Sequence, residues 1–152
     1  MADSFLKLDG FKELAAAMRE LPERVAKNAL RSAVSSAAAV VRDEAKLRAP
    51  VDTGEMKRDI MIKRERDAKG GPMVATYSVY VRSGKKSRLA GKKRNVQRDS
   101  FYWRFVEYGT AKMPAQPFMR PAFQAKKEAA IDAMREKLDA RIQKEATELS
   151  KK

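Results

Sequence analysis

Phe101-Tyr-Trp-Arg-Phe105-Val-Glu-Tyr-Gly109-Thr-Ala-Lys-Met-Pro114-Ala-Gln-Pro117-Phe-Met-Arg-Pro121-Ala-Phe123 holds most of the chain's aromatic side chains, and its reading decides how many strands the sheet has. Alternation predicts a strand over residues 101–108, with Phe101, Trp103 and Phe105 on one face and Tyr102, Val106 and Tyr108 on the other. Gly109 is the exit, and an irregular arm with Pro114, Pro117 and Pro121 follows. A strand apolar on both faces is covered on both, which in a chain of this size points to a second subunit against one of them.

Downstream, Pro121 can open a helix running to about Leu149, with Phe123, Ala130, Ile131, Met134, Leu138, Ile142, Ala146 and Leu149 on its apolar stripe. Its other faces mix Lys and Arg with Glu and Asp, the pattern of a solvated surface. Upstream, Met73–Val81 and Met56–Arg66 read as two strands joined by a turn at Lys69-Gly-Gly-Pro72, an antiparallel hairpin. Pro50, Asp52 and Gly54 shape the corner before it: Asp52 can accept backbone hydrogen bonds and Gly54 permits a positive φ. Ala49-Pro50 ends a long helix that begins at Pro22, whose stripe includes Val25, Ala26, Ala29, Leu30, Ala33, Val34, Ala37, Val41 and Ala45. The small residues of that stripe allow close packing. A short amphipathic helix with Phe11, Leu14, Ala15, Met18 and Leu21 precedes it. The expected fold is therefore α+β: an antiparallel sheet of three to four strands packed against a long N-terminal and a long C-terminal helix, a single domain over residues 1–152.

Cysteine and histidine are both absent from the 152 residues. Disulfides, thiolate and imidazole metal ligands and Ser-His-Asp triads are thereby excluded, and no cofactor or enzymatic activity is expected. The Gly84-Lys-Lys-Ser87 and Gly91-Lys-Lys93 segments lack the spacing and following helix of a phosphate loop. No apolar run approaches membrane-spanning length and Asp3 stands where a signal peptide would be basic, so a soluble, unprocessed protein is expected. The net charge of +14 calls for an acidic partner or a large assembly opposite some of the surface. Part of it lies in a basic loop at about 82–99, where Arg82, Lys85, Lys86, Arg88, Lys92, Lys93, Arg94 and Arg98 precede the first acidic residue, Asp99. These eight are the candidates for contact with DNA or an acidic protein. An alternative function follows: a nucleic-acid-binding protein that stacks bases on the aromatic strand and tracks phosphates with the loop.

The segments Ala49-Pro-Val-Asp-Thr-Gly54-Glu-Met-Lys-Arg-Asp-Ile60 and Phe105-Val-Glu-Tyr-Gly109-Thr-Ala-Lys-Met-Pro-Ala-Gln-Pro-Phe-Met-Arg-Pro-Ala-Phe123, in that order, resemble the tailed-phage neck and tail-completion family typified by gene product ten of the phage HK-ninety-seven. The resemblance runs from the leading Leu8-Asp-Gly-Phe-Lys-Glu-Leu14 through the final helix, and the basic loop departs from the commoner pattern. It implies a structural virion protein of a long-tailed phage or prophage, made in the host cytoplasm and acting in the neck or tail. It further implies a homo-oligomeric ring, hexameric by the tail's symmetry, that meets head-closure, tail-terminator or tail-tube proteins and contacts phage DNA non-specifically. In such a ring Trp103, Tyr108, Met113, Pro117, Phe118 and Met119 are the subunit-interface candidates. Phe118 and Met119 would anchor a proline-stiffened arm in the next subunit. The competing reading is that the arm covers its own core.

Overall fold

The computed structural model describes residues 11–52, 54–65, 74–83 and 100–149, without the side chains of Ala146 and Leu149. In chain order the elements are α1 (Phe11–Glu20), α2 (Glu23–Arg48), α3 (Glu55–Asp59), β1 (Ile60–Glu65), β2 (Thr76–Val81), α4 (Trp103–Tyr108) and α5 (Met119–Leu149). The class is α+β, with two long helices and a small sheet. Among the described residues that sheet has two strands, not three to four. Arg82 N–H donates to the Asp59 carbonyl at 2.8 Å, so the start of β1 lies beside the end of β2 and the strands are antiparallel. The turn expected between them at Lys69–Pro72 lies outside the described residues.

Two corrections account for the smaller sheet. Residues 103–108, expected as a strand, form helix α4. Its apolar residues satisfy a helical period as well as a strand period: Tyr102, Trp103 and Val106 pack inward, while Phe101, Phe105 and Tyr108 lie outward. The backbone closes accordingly, with Phe105 N–H and Val106 N–H both donating to the Tyr102 carbonyl. The first strand is shorter than expected because Glu55–Asp59 is a helical turn. Gly54 sits at φ 76°, ψ −2°, a left-handed corner, and its carbonyl accepts from Arg58 N–H. The turn then sends both Met56 and Asp59, three residues apart, into the interior.

The two N-terminal helices match expectation closely. Leu21 N–H bonds to the Met18 carbonyl as α1 ends, and the Pro22 carbonyl accepts from Val25 and Ala26 as α2 begins. The chain divides into two compact units, both drawing on α2 and α5. In the first, Ala26, Ala29 and Ala33 of α2 are buried with Met18 and Leu138, and Leu14, Leu21, Leu30, Met134 and Ile142 pack around them. Alanine at three successive turns removes the bulk that would hold α5 away. In the second, Ala45, Ala49, Met56, Ile60, Val81, Phe118 and Ala122 form a core flanked by Val79, Tyr102, Trp103, Val106 and Met119. Glu44 takes a hydrogen bond from Arg48 at 2.7 Å and lies 3.8 Å from Lys126, adding a polar tie between α2 and α5.

From Phe118, just before α5, the buried Ala122, Ala130 and Leu138 and the half-buried Met134 and Ile142 recur at intervals of four or eight residues. Each four-residue step overshoots a turn by about 40°, so the buried line winds around the helix. Phe123, expected on the apolar stripe, is therefore turned out and 58% exposed, while Ala122 takes the core position.

Candidate assembly surface

Glu107 organises the segment from α4 to the start of α5. It follows Val106 on the inward side of α4 and is 7% exposed, a carboxylate with almost no access to water. Its Oε2 accepts from Phe118 N–H at 2.8 Å and Met119 N–H at 3.0 Å, and its Oε1 accepts from Arg120 N–H at 3.1 Å. These are donors that a helix N-terminus leaves without intrahelical partners. The next residue, Pro121, has no N–H, and Ala122 N–H already bonds to the Phe118 carbonyl. Every donor of the first turn is thus satisfied or absent. A negative charge at this end also meets the positive end of a 31-residue helix dipole.

The arm between α4 and α5 is held by its own short-range bonds. Gly109 N–H closes α4 on the Phe105 carbonyl, Thr110 and Met113 bridge each other, and Thr110 Oγ1 accepts from Met113 N–H at 3.1 Å. Gln116 N–H then returns to the Val106 carbonyl at 2.8 Å. The return brings Ala115 and Met113 against Gly109. A Cβ at Gly109 would stand 2.8 Å from Ala115 N and 3.1 Å from the Met113 carbonyl oxygen. Its φ of 76° and ψ of 177° fall in a region essentially reserved for glycine. Gly109→Ala is expected to destabilise the protein by roughly 2–3 kcal/mol, from backbone strain and overlap with neighbouring backbone. Urea unfolding followed by Trp103 fluorescence measures it, and a change within 0.5 kcal/mol, to order of magnitude no more than a surface substitution, would contradict this geometry.

The interface candidates separate into three groups. Phe118 is 0% exposed and lies in the core of its own unit, so in the folded chain it has no surface to offer a neighbour. For this residue the arm covers its own core. Trp103 and Met119 are half-buried against the same core, with the Arg104 guanidinium 5.5 Å from the Trp103 ring centre. Tyr108, Met113 and Pro117 remain exposed, Tyr108 at 67%. Two aromatics that the strand reading assigned to a covered face join them: Phe101 and Phe105 are 49% and 50% exposed. Phe105 and Tyr108, three residues apart, share the outer side of α4, and Phe101 is exposed in the turn just before it. The i, i+3 spacing of Phe105 and Tyr108 was the available signal.

The corner residues behave as a turn: Pro50 is half-buried, Asp52 is exposed, and Gly54 holds the left-handed conformation. Of the basic candidates, Arg82 is described. Its guanidinium lies 3.3 Å from Asp59 Oδ1, and Ser100 Oγ donates to Asp59 Oδ2 at 2.8 Å. One buried carboxylate thus ties residues 82 and 100, the two sides of the basic segment. Lys85, Lys86, Arg88, Lys92, Lys93, Arg94 and Arg98 lie outside the described residues. On α2, a 2.8 Å hydrogen bond from Arg42 holds the Asp43 carboxyl below the usual range, an exposed pair of little energetic weight. Among the described residues no cluster of acidic side chains could hold a metal ion, and no helix is long and apolar enough to cross a membrane.

The model of the HK97-gp10-like phage tail-component family matches residues 12–109, from α1 through the end of α4. The resemblance seen in the sequence extended through the final helix, whereas this match stops at Gly109. No curated protein and no solved structure matches the chain. The matched segment covers more than half of the chain, which accordingly belongs to the HK97-gp10-like phage tail-component family, a family of structural phage proteins.

Proposed function

We propose that the protein is a virion component of a long-tailed phage or prophage that closes into a homo-oligomeric ring, hexameric, at the head–tail junction or tail end. There it completes the tail by meeting head-closure, tail-terminator or tail-tube proteins. The observation that carries this reading is the set of exposed aromatics in and just before α4, Phe101, Phe105 and Tyr108. Three large side chains, each about half exposed or more, with Met113 nearby in sequence and also exposed, are an apolar surface of the kind that marks a contact site. Aromatic residues at the centre of an interface supply much of its affinity. The nucleic-acid alternative is weaker, because its platform was an aromatic strand and Trp103 is instead half-buried against the core.

Electron microscopy of the purified protein, alone and with the neighbouring tail gene product, should show closed rings. Phe105→Ser with Tyr108→Ser should leave stability within about 1 kcal/mol, since both side chains are substantially exposed. Self-association should fall at least about tenfold, equivalent to about 1.4 kcal/mol. A protein monomeric in solution and inside intact virions would overturn the proposal.

A further inference from the structure

Between Glu128 and Lys144 the solvent side of α5 is divided by charge rather than mixed; beyond it the exposed Glu148 falls on the basic side. At about 100° per residue, Glu128, Asp132, Glu136 and Asp139 fall within an arc of about 80°. Lys137, Arg141 and Lys144 fall within about 60°, and Ala129, Ala133 and Ala140 fill the arc between the two rows. All seven charged side chains are exposed. Glu136 has Asp132, Ala133, Asp139 and Ala140 as its helical neighbours, and Lys137 has Ala133, Met134, Ala140 and Arg141. Neither has an opposite charge at the spacings that support a helix, and like charges there oppose it. Among the described residues Glu128, Asp132, Glu136, Lys137 and Arg141 form no ion pair, and Lys144 reaches only Glu148 at 3.9 Å, both well exposed. Arg135 lies at helical spacing from Asp132 and Asp139, Glu145 from Arg141 and Glu148 from Lys144, but Glu128, Glu136 and Lys137 have no such opposite charge, so much of both rows is left available.

We infer that this face joins neighbouring copies of the chain, the acidic row of one α5 meeting the basic row of the next with the helices parallel. The inference rests on the ring reading and specifies its electrostatic contact. The occupant follows from the charges. A nucleic acid or other partner of one sign would be attracted by one row and repelled by the other, whereas a second copy supplies both complements. Antiparallel helices side by side would set acid against acid, while parallel ones set acid against base. That contact is heterologous, the kind from which rings close. The basic row is centred about two turns after the acidic one, a stagger that helices tilted against the ring axis accommodate. Copies carrying a net charge of +14 repel at a distance, so their contact needs a place where acids concentrate.

The test reverses three charges of each row in the full-length protein: E128K/D132K/E136K in one variant, K137E/R141E/K144E in another. Sedimentation velocity and negative-stain microscopy read the outcome, and circular dichroism confirms helix content. Each variant alone should sediment as monomer, the two mixed should regain assembly, and the variant with all six changes should regain it by itself. Wild-type assemblies should dissociate between about 0.05 M and about 0.5 M salt, as screening shortens. Wild-type assembly by either single-row variant, absence of rescue in the mixture, salt-insensitive assembly, or a wild type that fails to self-associate would each overturn the inference. The ring reading fails separately. If rings persist with either row reversed but vanish with Phe105→Ser and Tyr108→Ser, the ring stands and this contact falls.

Discussion

Glu107→Ala is expected to remove about 4 kcal/mol of stability, a large part of the roughly 5–15 kcal/mol that holds a domain of this kind. The carboxylate receives three backbone N–H groups at the start of α5, from the fully buried Phe118, the partly buried Met119 and Arg120, whose side chain is exposed. Without it, each group loses a charge-assisted bond in a place that water reaches poorly, at roughly 1–3 kcal/mol for each donor left unsatisfied. Glu107→Gln should recover part of the loss. With its carbonyl oxygen in the Oε2 position it keeps the bonds from Phe118 and Met119 but turns an NH2 group toward Arg120 N–H. Trp103, the chain's one tryptophan, packs against the core of the same unit and makes fluorescence a local reporter in urea unfolding. A loss below about 1 kcal/mol in Glu107→Ala would show that the helix end is satisfied by other means.

The same residue explains why this stretch was the least legible part of the sequence. Within residues 101–108 the apolar positions satisfy a period of two and a period of 3.6, so neither local pattern nor composition separates strand from helix. The buried role of Glu107 depends on a helix end eleven residues later, and no local rule announces a glutamate that caps a helix other than its own. Where local punctuation was strong, expectation and structure agree. Pro22 and Ala49-Pro50 bound α2, and the alanines at 26, 29 and 33 pack as the small-residue stripe suggests. The shortened first strand reflects another local ambiguity, because Met56 and Asp59 suit either a strand or one helical turn until the left-handed Gly54 sets the direction of entry.

The surface was legible only in part for a related reason. Tyr108 and Met113 stand exposed where interface candidates were sought, but Phe101 and Phe105 had been assigned to a covered strand face. Once α4 is a helix, Phe105 joins Tyr108 on its outer side, with Phe101 exposed in the turn before it. The charges of α5 reverse the lesson. Their order along the chain looks mixed, and only projection onto a helix whose buried line is known separates an acidic row from a basic one. In both places the residue types were visible from the start, while their grouping required the backbone.

Phe118→Ala is the second large effect, an expected loss of roughly 3–5 kcal/mol for truncating a buried aromatic. Phe118 is 0% exposed among Ala45, Ala49, Met56, Ile60, Val81 and Ala122, and three of these seven core residues are alanines that cannot extend to fill the space left behind. Met119→Ala should cost less, because that side chain is only partly buried at the edge of the same core. The pair separates two roles for the arm. An interface anchor would lose assembly with little change in the urea midpoint of the isolated chain, whereas a core anchor loses the midpoint first and assembly only as unfolded chain accumulates. Placing Phe118 in the core predicts that Phe118→Ala lowers the midpoint sharply, while Phe118→Leu, which keeps an aliphatic side chain in the site, loses about half as much. An unchanged midpoint together with absent rings would return Phe118 to the surface of a neighbour and remove it from the core described here.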